Sequence, residues 1–534
     1  MLINQPLVMQ SQTSFPLVLG DSKNALTDFD MCLALTQRAI NSQLATAWKT
    51  WTKRKTVEDT IILPKFRENK KGETVPAKYG INAKLAPITI DFNVPNGKLG
   101  QVNVTLNIPS GIVKYLDEDD GDSVYAINNW AITVTVDLDK KSIDLKTLAN
   151  LDPESEKTAK ETIAQSGFPD SIFSIEYLFL RFTNIDLFLS DAKNIEIPKD
   201  VPEAARSKAL ESLKLLFNKE LGDFMLGTVV RRNRDSSSPT FAMTDFMFHV
   251  DANQQSADAS TLSYLGMFSQ RTLPNDRNAA RLKITEDWIN PSQIDGSTSL
   301  IAGVMVIRKE IFIDQYLIPL FTKHLGFDPS VNGYTRTFSA SQSGTDNLGT
   351  DLAQHLLDRK DEYSLNITPV LGTNKINLSG SILSARTYRE RTLKTLVHKE
   401  GLPTLEASGK GSRSLTGELT LTAQGIGATF TVQPQMAHQF SPVLIEGDTQ
   451  GFAKVTKAFN NLFGIPDMQT MLTNTTQQKV NELTQVLQNV LDHINIDLSQ
   501  HQFIPPGGGV FTFQNLHFSD KTGDVIFDVI YRAP

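Results

Sequence analysis

The side chains best suited to chemistry in this chain do not converge on a reacting centre. Its eight histidines are scattered, and the closest pair, His493 and His501, is eight residues apart. That spacing does not set two imidazoles on one helical face beside a carboxylate pair. Cys32 is the single cysteine, and its neighbours Met31, Leu33 and Leu35 place it in an apolar strand. With nothing electropositive to lower its pKa, it reads as a buried, inert thiol. There is no G-x-S-x-G elbow, H-E-x-x-H zinc helix, Walker phosphate loop or dinucleotide fingerprint. SGKGSRS at 408–414 has the glycines and lysine of a phosphate loop without the spacing, and it lies between strand patterns, where a hairpin connection is expected. No catalytic residue, metal ligand or cofactor is assigned, and no enzyme is expected.

Two charged clusters carry sharper readings. LDEDDGD, with Asp117, Glu118, Asp119, Asp120 and Asp122, offers carboxylate oxygens for calcium. Five residues before Gly121 stands Leu116, where an EF-hand loop requires an aspartate, so a solvated hairpin tip is expected instead. In WKTWTKRK, Trp48 and Trp51 accompany Lys49, Lys53, Arg54 and Lys55 at a helix end. Rings at headgroup level and cations on anionic lipid would make a peripheral membrane contact. The other reading has the tryptophans capping the core and the lysines complementing the helix dipole. RRNR at 231–234 has no aromatic partner and reads as a charged loop.

The elements that must position any site are repeated. Leu210, Leu213, Phe217 and Leu221 form an apolar helical stripe, and Leu483, Val486, Val490 and Ile494 form the same stripe 273 residues later. Ile40 and Leu44 stand in MCLALTQRAINSQLATAW as Phe312 and Tyr316 stand in VMVIRKEIFIDQYLIPLF, with Gln43 matching Gln315, at an offset of 272. Two helix pairs agreeing to one residue predict a tandem duplication. Strands lie between the helices: Val102, Val104, Leu106 and Ile108 share one face of a strand, as do Trp130, Ile132, Val134, Val136 and Leu138 of the next, an alternation that predicts one dry and one wet side. SIFSIEYLFLRFTNIDLFL at 171–189 is apolar on both sides and reads as one strand of about 60 Å. A helix is expected from Pro202 to Gly222, and another region of helix over 451–494. Ser341–Asp351, SQSGTDNLGTD, reads as a mobile surface loop. The polar stretch from Ser269 to Ser299 contains the expected boundary, giving modules 1–285 and 286–534.

Composition sets limits. The chain has 534 residues, 40% of them hydrophobic and 21% charged, and 29 Phe against 10 Tyr and 4 Trp. The Phe excess implies a large apolar interior. A net charge of −7 argues against a nucleic-acid binder, which needs a surplus of Lys and Arg on one face. The amino-terminal stretch lacks a basic region before an unbroken apolar one, so no signal peptide is expected; cytoplasmic synthesis follows, with release only by a non-classical route.

Four segments carry a resemblance: DFDMCLALTQRAINSQL (28–44), STLSYLGMFSQRTLP (260–274), VIRKEIFIDQYLIP (306–319) and FIPPGGGVFTFQNLHFS (503–519). In this order the chain resembles clostridial neurotoxin-cluster accessory proteins, the OrfX proteins and their forty-seven-kilodalton relative, which look like bacterial members of the tubular lipid-binding (TULIP) superfamily. The resemblance implies an α+β fold of two tandem modules, each a long curved antiparallel sheet wrapped around amphipathic helices to enclose an apolar tube.

Two functions from different classes follow. In one, the tubes stay open and hold lipid. At roughly 0.8 kcal/mol per buried CH₂, one long acyl chain is worth on the order of 10 kcal/mol without any polar motif. In the other, side chains close the tubes, and the protein is an interaction component of a toxin or secreted complex, partnered by proteins of the same gene cluster. In either case Ile40, Leu44, Trp48, Leu213 and Phe217 in the first module, and Phe312, Val486 and Val490 in the second, are expected to line the interior. Pro505–Gly509, PPGGG, is expected to end a helix and turn the chain into the strand holding Phe511 and Phe513.

Overall fold

A computed structural model of the chain describes residues 26–53, 59–94, 100–165, 173–182, 195–197, 200–217, 223–232, 241, 243–268, 271–284, 288–294, 301–347, 353–392, 405–424, 429–447, 468–493 and 502–532. The first half opens with β1 (Met31–Thr36) and α1 (Gln37–Lys53). Short strands β2 (Thr60–Leu63), β3 (Phe66–Glu68), β4 (Thr74–Pro76), β5 (Gly80–Lys84) and β6 (Thr89–Asp91) lead to a long hairpin of β7 (Gln101–Asp117) and β8 (Gly121–Ile143). Then come α2 (Leu145–Leu151), α3 (Pro153–Gln165), β9 (Phe173–Arg181), β10 (Ile195–Glu196), α4 (Glu203–Leu215), β11 (Asp223–Arg232), β12 (Met243–Asp251) and β13 (Thr261–Phe268).

Short helices α5 (Arg277–Leu282) and α6 (Pro291–Ile294) connect to β14 (Ile301–Ile307). Helix α7 starts as π-turns over Glu310–Leu317 and continues as α-helix over Ile318–Leu325. Pro319 near the change removes one N–H donor, which favours the shifted hydrogen-bond register before it. Strands β15 (Ser330–Asn332), β16 (Thr335–Asn347), β17 (Ala353–Val370), β18 (Lys375–Thr392), β19 (Leu405–Gln424) and β20 (Thr429–Gly447) follow, then α8 (Met468–His493), β21 (Gln502–Ile504), β22 (Val510–Phe518) and β23 (Val525–Arg532).

The class is α+β, with three larger antiparallel sheets among the described residues. The central sheet runs β12-β13-β1-β14-β23-β22, so its order mirrors about the β1–β14 pair, with three strands from each half. Leu33 faces Met305 across that pair. The first-half sheet runs β2-β5-β7-β8-β9-β11-β21, with β6 on β7 and β10 on β8; its last strand comes from the second half, through Val229 opposite Phe503. The second-half sheet runs β15-β16-β17-β18-β19-β20. The two halves of the chain therefore contribute strands to two shared sheets.

Alternation dictates which face is dry. Val102, Val104, Leu106 and Ile108 on β7, with Trp130, Ile132, Val134 and Val136 on β8, are buried as the pattern predicts. One large core joins them to α1, α4 and α7. The polar stretch that holds the expected boundary is also a cover: Leu273, Ala280, Ile289 and Ile294 pack with Cys32, Ala34, Val304 and Val306 against one side of the central sheet. Its polarity belongs to its outer side.

Three other expectations change. Ser341–Asn347 is the second half of β16, paired residue by residue with β17, not a loop. Small polar residues on both faces give no hydrophobic period, yet ladder bonds and cross-strand contacts such as Thr345 Oγ1 donating to Asp358 (2.6 Å) hold them extended. SGKGSRS lies inside β19 rather than in a turn. Gly409 is needed there because a Cβ would meet the Met468 sulfur at 2.5 Å and Leu472 at 3.0 Å; the bare backbone lets α8 approach the sheet. Of the strand expected over 171–189, residues 173–181 form β9, and 183–189 lie outside the described residues.

PPGGG does make the turn into β22, with Gly507 and Gly508 at φ of 85° and 80°. It is also a dock. Gly507 N donates to the buried Asp152 carboxylate at 2.7 Å, and Thr158 Oγ1 donates to the Gly508 carbonyl at 2.8 Å, tying the carboxyl-terminal strands to α3.

Candidate functional site

The helix faces are buried as expected, with a shift in register. Ile40, Leu44, Trp48, Leu213, Phe217, Phe312 and Val490 are buried, whereas Val486 is half-buried and Leu487 takes the core position beside it. Ile313, Leu317 and Phe321 are buried 273 residues after the buried Ile40, Leu44 and Trp48; Leu483, Leu487 and Val490 are buried 274 residues after Ala209, Leu213 and Leu216. The burial phases thus correspond one residue later than apolar letters alone indicate. Leu221 and Ile494 lie outside the described residues.

In the first half, aromatic rings pack against one another in this interior. Trp51 meets Phe224 edge-on at 5.7 Å, and Phe182 stacks on Phe217 at 5.4 Å. The crevice between α1, β11 and β21 is lined by Ile40, Leu178, Tyr264 and Phe503 and encloses only about 20 Å³. That is room for one water, not for an acyl chain. The Gln43 amide nitrogen and the Thr228 hydroxyl, both buried on its wall, have no hydrogen-bond partner among the described residues. Trp48 and Trp51 are 5% and 7% exposed, so neither ring lies at a membrane headgroup level; the core-capping reading holds for both.

The second half is built differently. A cleft of about 420 Å³ opens between β16–β18, the end of α7 and α8. Its floor is Leu325, Phe327, Tyr363 and Ile382, and its helix wall is Thr475, Gln478, Lys479 and Glu482. None of the eight residues expected from the sequence lines it. The register explains its polarity. Ile376 and Leu378 are fully packed in the core, whereas two and four residues beyond the cleft-floor Ile382 on the same face of β18 stand Ser384 and Arg386. On β17 the matching face runs from Leu365 through Tyr363 to Asp361. Each strand passes from apolar to charged along one face, and the cleft sits on that crossover.

The charges there are organised. Arg386 donates to both Asp361 oxygens at 2.8 and 3.1 Å, and Ser384 also donates to that carboxylate. Burial pushes the Asp361 pKa up, but these hydrogen bonds outweigh it and hold the carboxyl below its usual range. On the helix wall Lys479 Nζ is 2.7 Å from Glu482 and 5.0 Å from the centre of the Tyr363 ring. Burial and the nearby Glu482 charge push the Tyr363 phenol up. Beneath α8, Arg413 Nε donates to Thr476 Oγ1 at 3.1 Å. This site has a sequence signal that simple strand assignment misses: in NKINLSGSILSAR every second residue from Ile376 lies on one face, and that face changes character midway.

A buried ionic joint sits at one end of the central sheet. Asp30 accepts from Phe268 N at 2.9 Å and pairs with Arg271, and Arg308 lies 3.6 Å from it. Asp524 accepts from Lys309 N at 2.9 Å, capping the start of α7. Burial outweighs these partners and raises both carboxyl pKa values. Elsewhere Cys32 is fully buried, its thiol pushed up to about 12 by burial, as an inert thiol should be. His249 is pushed down to about 4 by burial and the Arg281 charge. Asp117–Asp120 form the β7–β8 turn, with Asp117 accepting from the backbone of Asp119. Among the described residues no three of His, Cys, Asp and Glu converge to hold a metal ion, and no helix is long and apolar enough to cross a membrane.

No family model matches the sequence, and no curated protein matches it. Among solved structures, the crystal structure of lipopolysaccharide binding protein aligns over 95% of this chain and 99% of its own length, at 11% identity and a TM-score of 0.28.

Proposed function

We propose that this chain is a non-enzymatic binder of lipid or another amphiphile, and that the ligand lies in the second-half cleft. The cleft's passage from Tyr363 and Ile382 to Asp361 and Ser384 across about 420 Å³ carries this reading. That volume is of ligand size, and the polarity gradient matches a molecule with an apolar tail and a polar head. The sequence resemblance to tubular lipid-binding proteins and the mirrored order of the central sheet support it, and both fit a tandem duplication with modules 1–285 and 286–534. A role beside a toxin or secreted complex rests on the four resembling segments alone.

Native mass spectrometry of the full chain tests the proposal. An apolar adduct should be retained by the parent protein and lost from Ile382→Arg, with folding checked by circular dichroism. No adduct, and no uptake of added lipid, would overturn it.

A second reading is favoured by one observation: the first-half crevice between α1, β11 and β21 encloses only about 20 Å³. That half acts as a scaffold, and its partners are proteins rather than ligands. Pull-down with the full chain and neighbouring gene products distinguishes this role, since it should persist in Ile382→Arg.

A further inference from the structure

Within the cleft, Lys479 occupies a seat made by other residues. Its ammonium lies over the Tyr363 ring at 5.0 Å and against Glu482 at 2.7 Å, which is how a π-face and a carboxylate hold an alkylammonium group. The side chain is 37% exposed and hangs on a flexible four-carbon stem, so it can leave for water at little cost. The ring beneath it cannot leave with it. Tyr363 is fixed in β17 opposite Ile382, with Phe327 at 5.8 Å between ring centres. Glu482 stands on α8 and also accepts from Gln478 Nε2 at 3.3 Å. The other two carboxylates lining the cleft already have partners, Asp361 being held by Arg386 and Ser384 and Glu362 pairing with Lys360.

We infer that the cleft selects an amphiphile with a cationic, ammonium-type head group, which takes the Tyr363–Glu482 seat in place of Lys479 while its tail lies on Leu325, Phe327 and Ile382. The inference rests on the amphiphile-binding reading above and names its ligand class. Exchanging one ammonium for another leaves Glu482 partnered. An anionic head group drawn to Lys479 would instead break the Lys479–Glu482 pair and lie against a bare carboxylate on a partly desolvated wall, which disfavours it. Lys479 is in this sense a tethered competitor, and removing it should improve binding of a cation.

The test uses the full chain and four probes of one tail length below their micelle concentrations: dodecyltrimethylammonium, dodecyl sulfate, dodecylphosphocholine and dodecyl maltoside, titrated by calorimetry. The trimethylammonium probe should bind about tenfold or more tightly than the sulfate, and Lys479→Met should tighten it further by about threefold or more, in line with one cation–π contact and its ion pair. Tyr363→Leu should abolish the preference of the trimethylammonium probe over the maltoside and Tyr363→Phe should restore it, with the fold of each variant checked by circular dichroism. If all four probes bind equally, if the sulfate or phosphocholine binds best, or if Lys479→Met weakens the cation, the head-group inference is wrong while amphiphile binding stands. If no probe binds, both readings fall.

Discussion

The two halves of this molecule solve the same packing problem with different side chains. Against the first-half sheet, α1 and α4 present Trp48, Trp51, Leu213 and Phe217, and the crevice between α1, β11 and β21 encloses about 20 Å³. Against the second-half sheet, α8 packs Val480 and Leu483 on Ile382 and Leu415, while Thr475, Gln478, Lys479 and Glu482 beside them line a cleft of about 420 Å³. Element order is mirrored in the shared central sheet. The two cavities thus differ through the volume and polarity of the side chains on one or two helix turns.

The largest expected effect breaks the closed half. Trp48→Ala should cost about 3–5 kcal/mol, because it deletes a large ring that is 5% exposed in the main core. Urea denaturation measures it; a loss near zero would mean that the first-half interior is looser than drawn. Next comes a matched pair. Leu213→Trp overpacks a fully buried site and should destabilise by about 1–3 kcal/mol. Val486→Trp, half-buried on α8, should stay within about 0.5 kcal/mol. Equal losses in the two variants would erase the distinction between the halves.

The same comparison shows what was legible in the letters. Strand faces such as Val102–Ile108 and Trp130–Val136 were readable because alternation with one buried side is a strong signal. The helices were readable as stripes, but their phase was off by one residue, since apolar letters mark a face about 100° wide and do not choose between Val486 and Leu487. Ser341–Asn347 was unreadable as a strand because both its faces are polar. The cleft escaped because its signal is a change of character along one strand face, from Ile376 to Arg386, which looks like ordinary strand when each residue is scored alone. The first-half residues chosen as a ligand site were chosen for apolarity, which a filled core and an open tube share.

A smaller effect concerns how α8 sits. Gly409→Val places branched atoms where a Cβ alone meets Met468 at 2.5 Å, and should lift the start of α8 at a cost of about 1–3 kcal/mol. Faster hydrogen exchange over 468–480, with α1 unchanged, checks it; unchanged exchange in α8 would show that Met468 simply moves aside.

The smallest effect is on pH dependence, and it has opposite signs in two places. Asp30 and Asp524 have folded pKa values raised by burial, so their contribution is fullest below the ordinary carboxylate range and is lost as pH rises through the folded values. Asp361, lowered by Arg386 and Ser384 against the effect of burial, contributes above that range and loses its contribution as pH falls through its folded value. Asp524→Asn should therefore flatten the decline in melting temperature above about pH 4, and Asp361→Asn should flatten the decline below it. Flattening on the same side for both would contradict these assignments.

Hydrogen exchange of the full chain with and without dodecyltrimethylammonium tests the contrast between the halves most directly. The account predicts new protection confined to 361–384 and 475–483, around the cleft, with α1, β11 and β21 unchanged. Protection centred on α1 and β11, or none anywhere at concentrations where calorimetry shows binding, would contradict it.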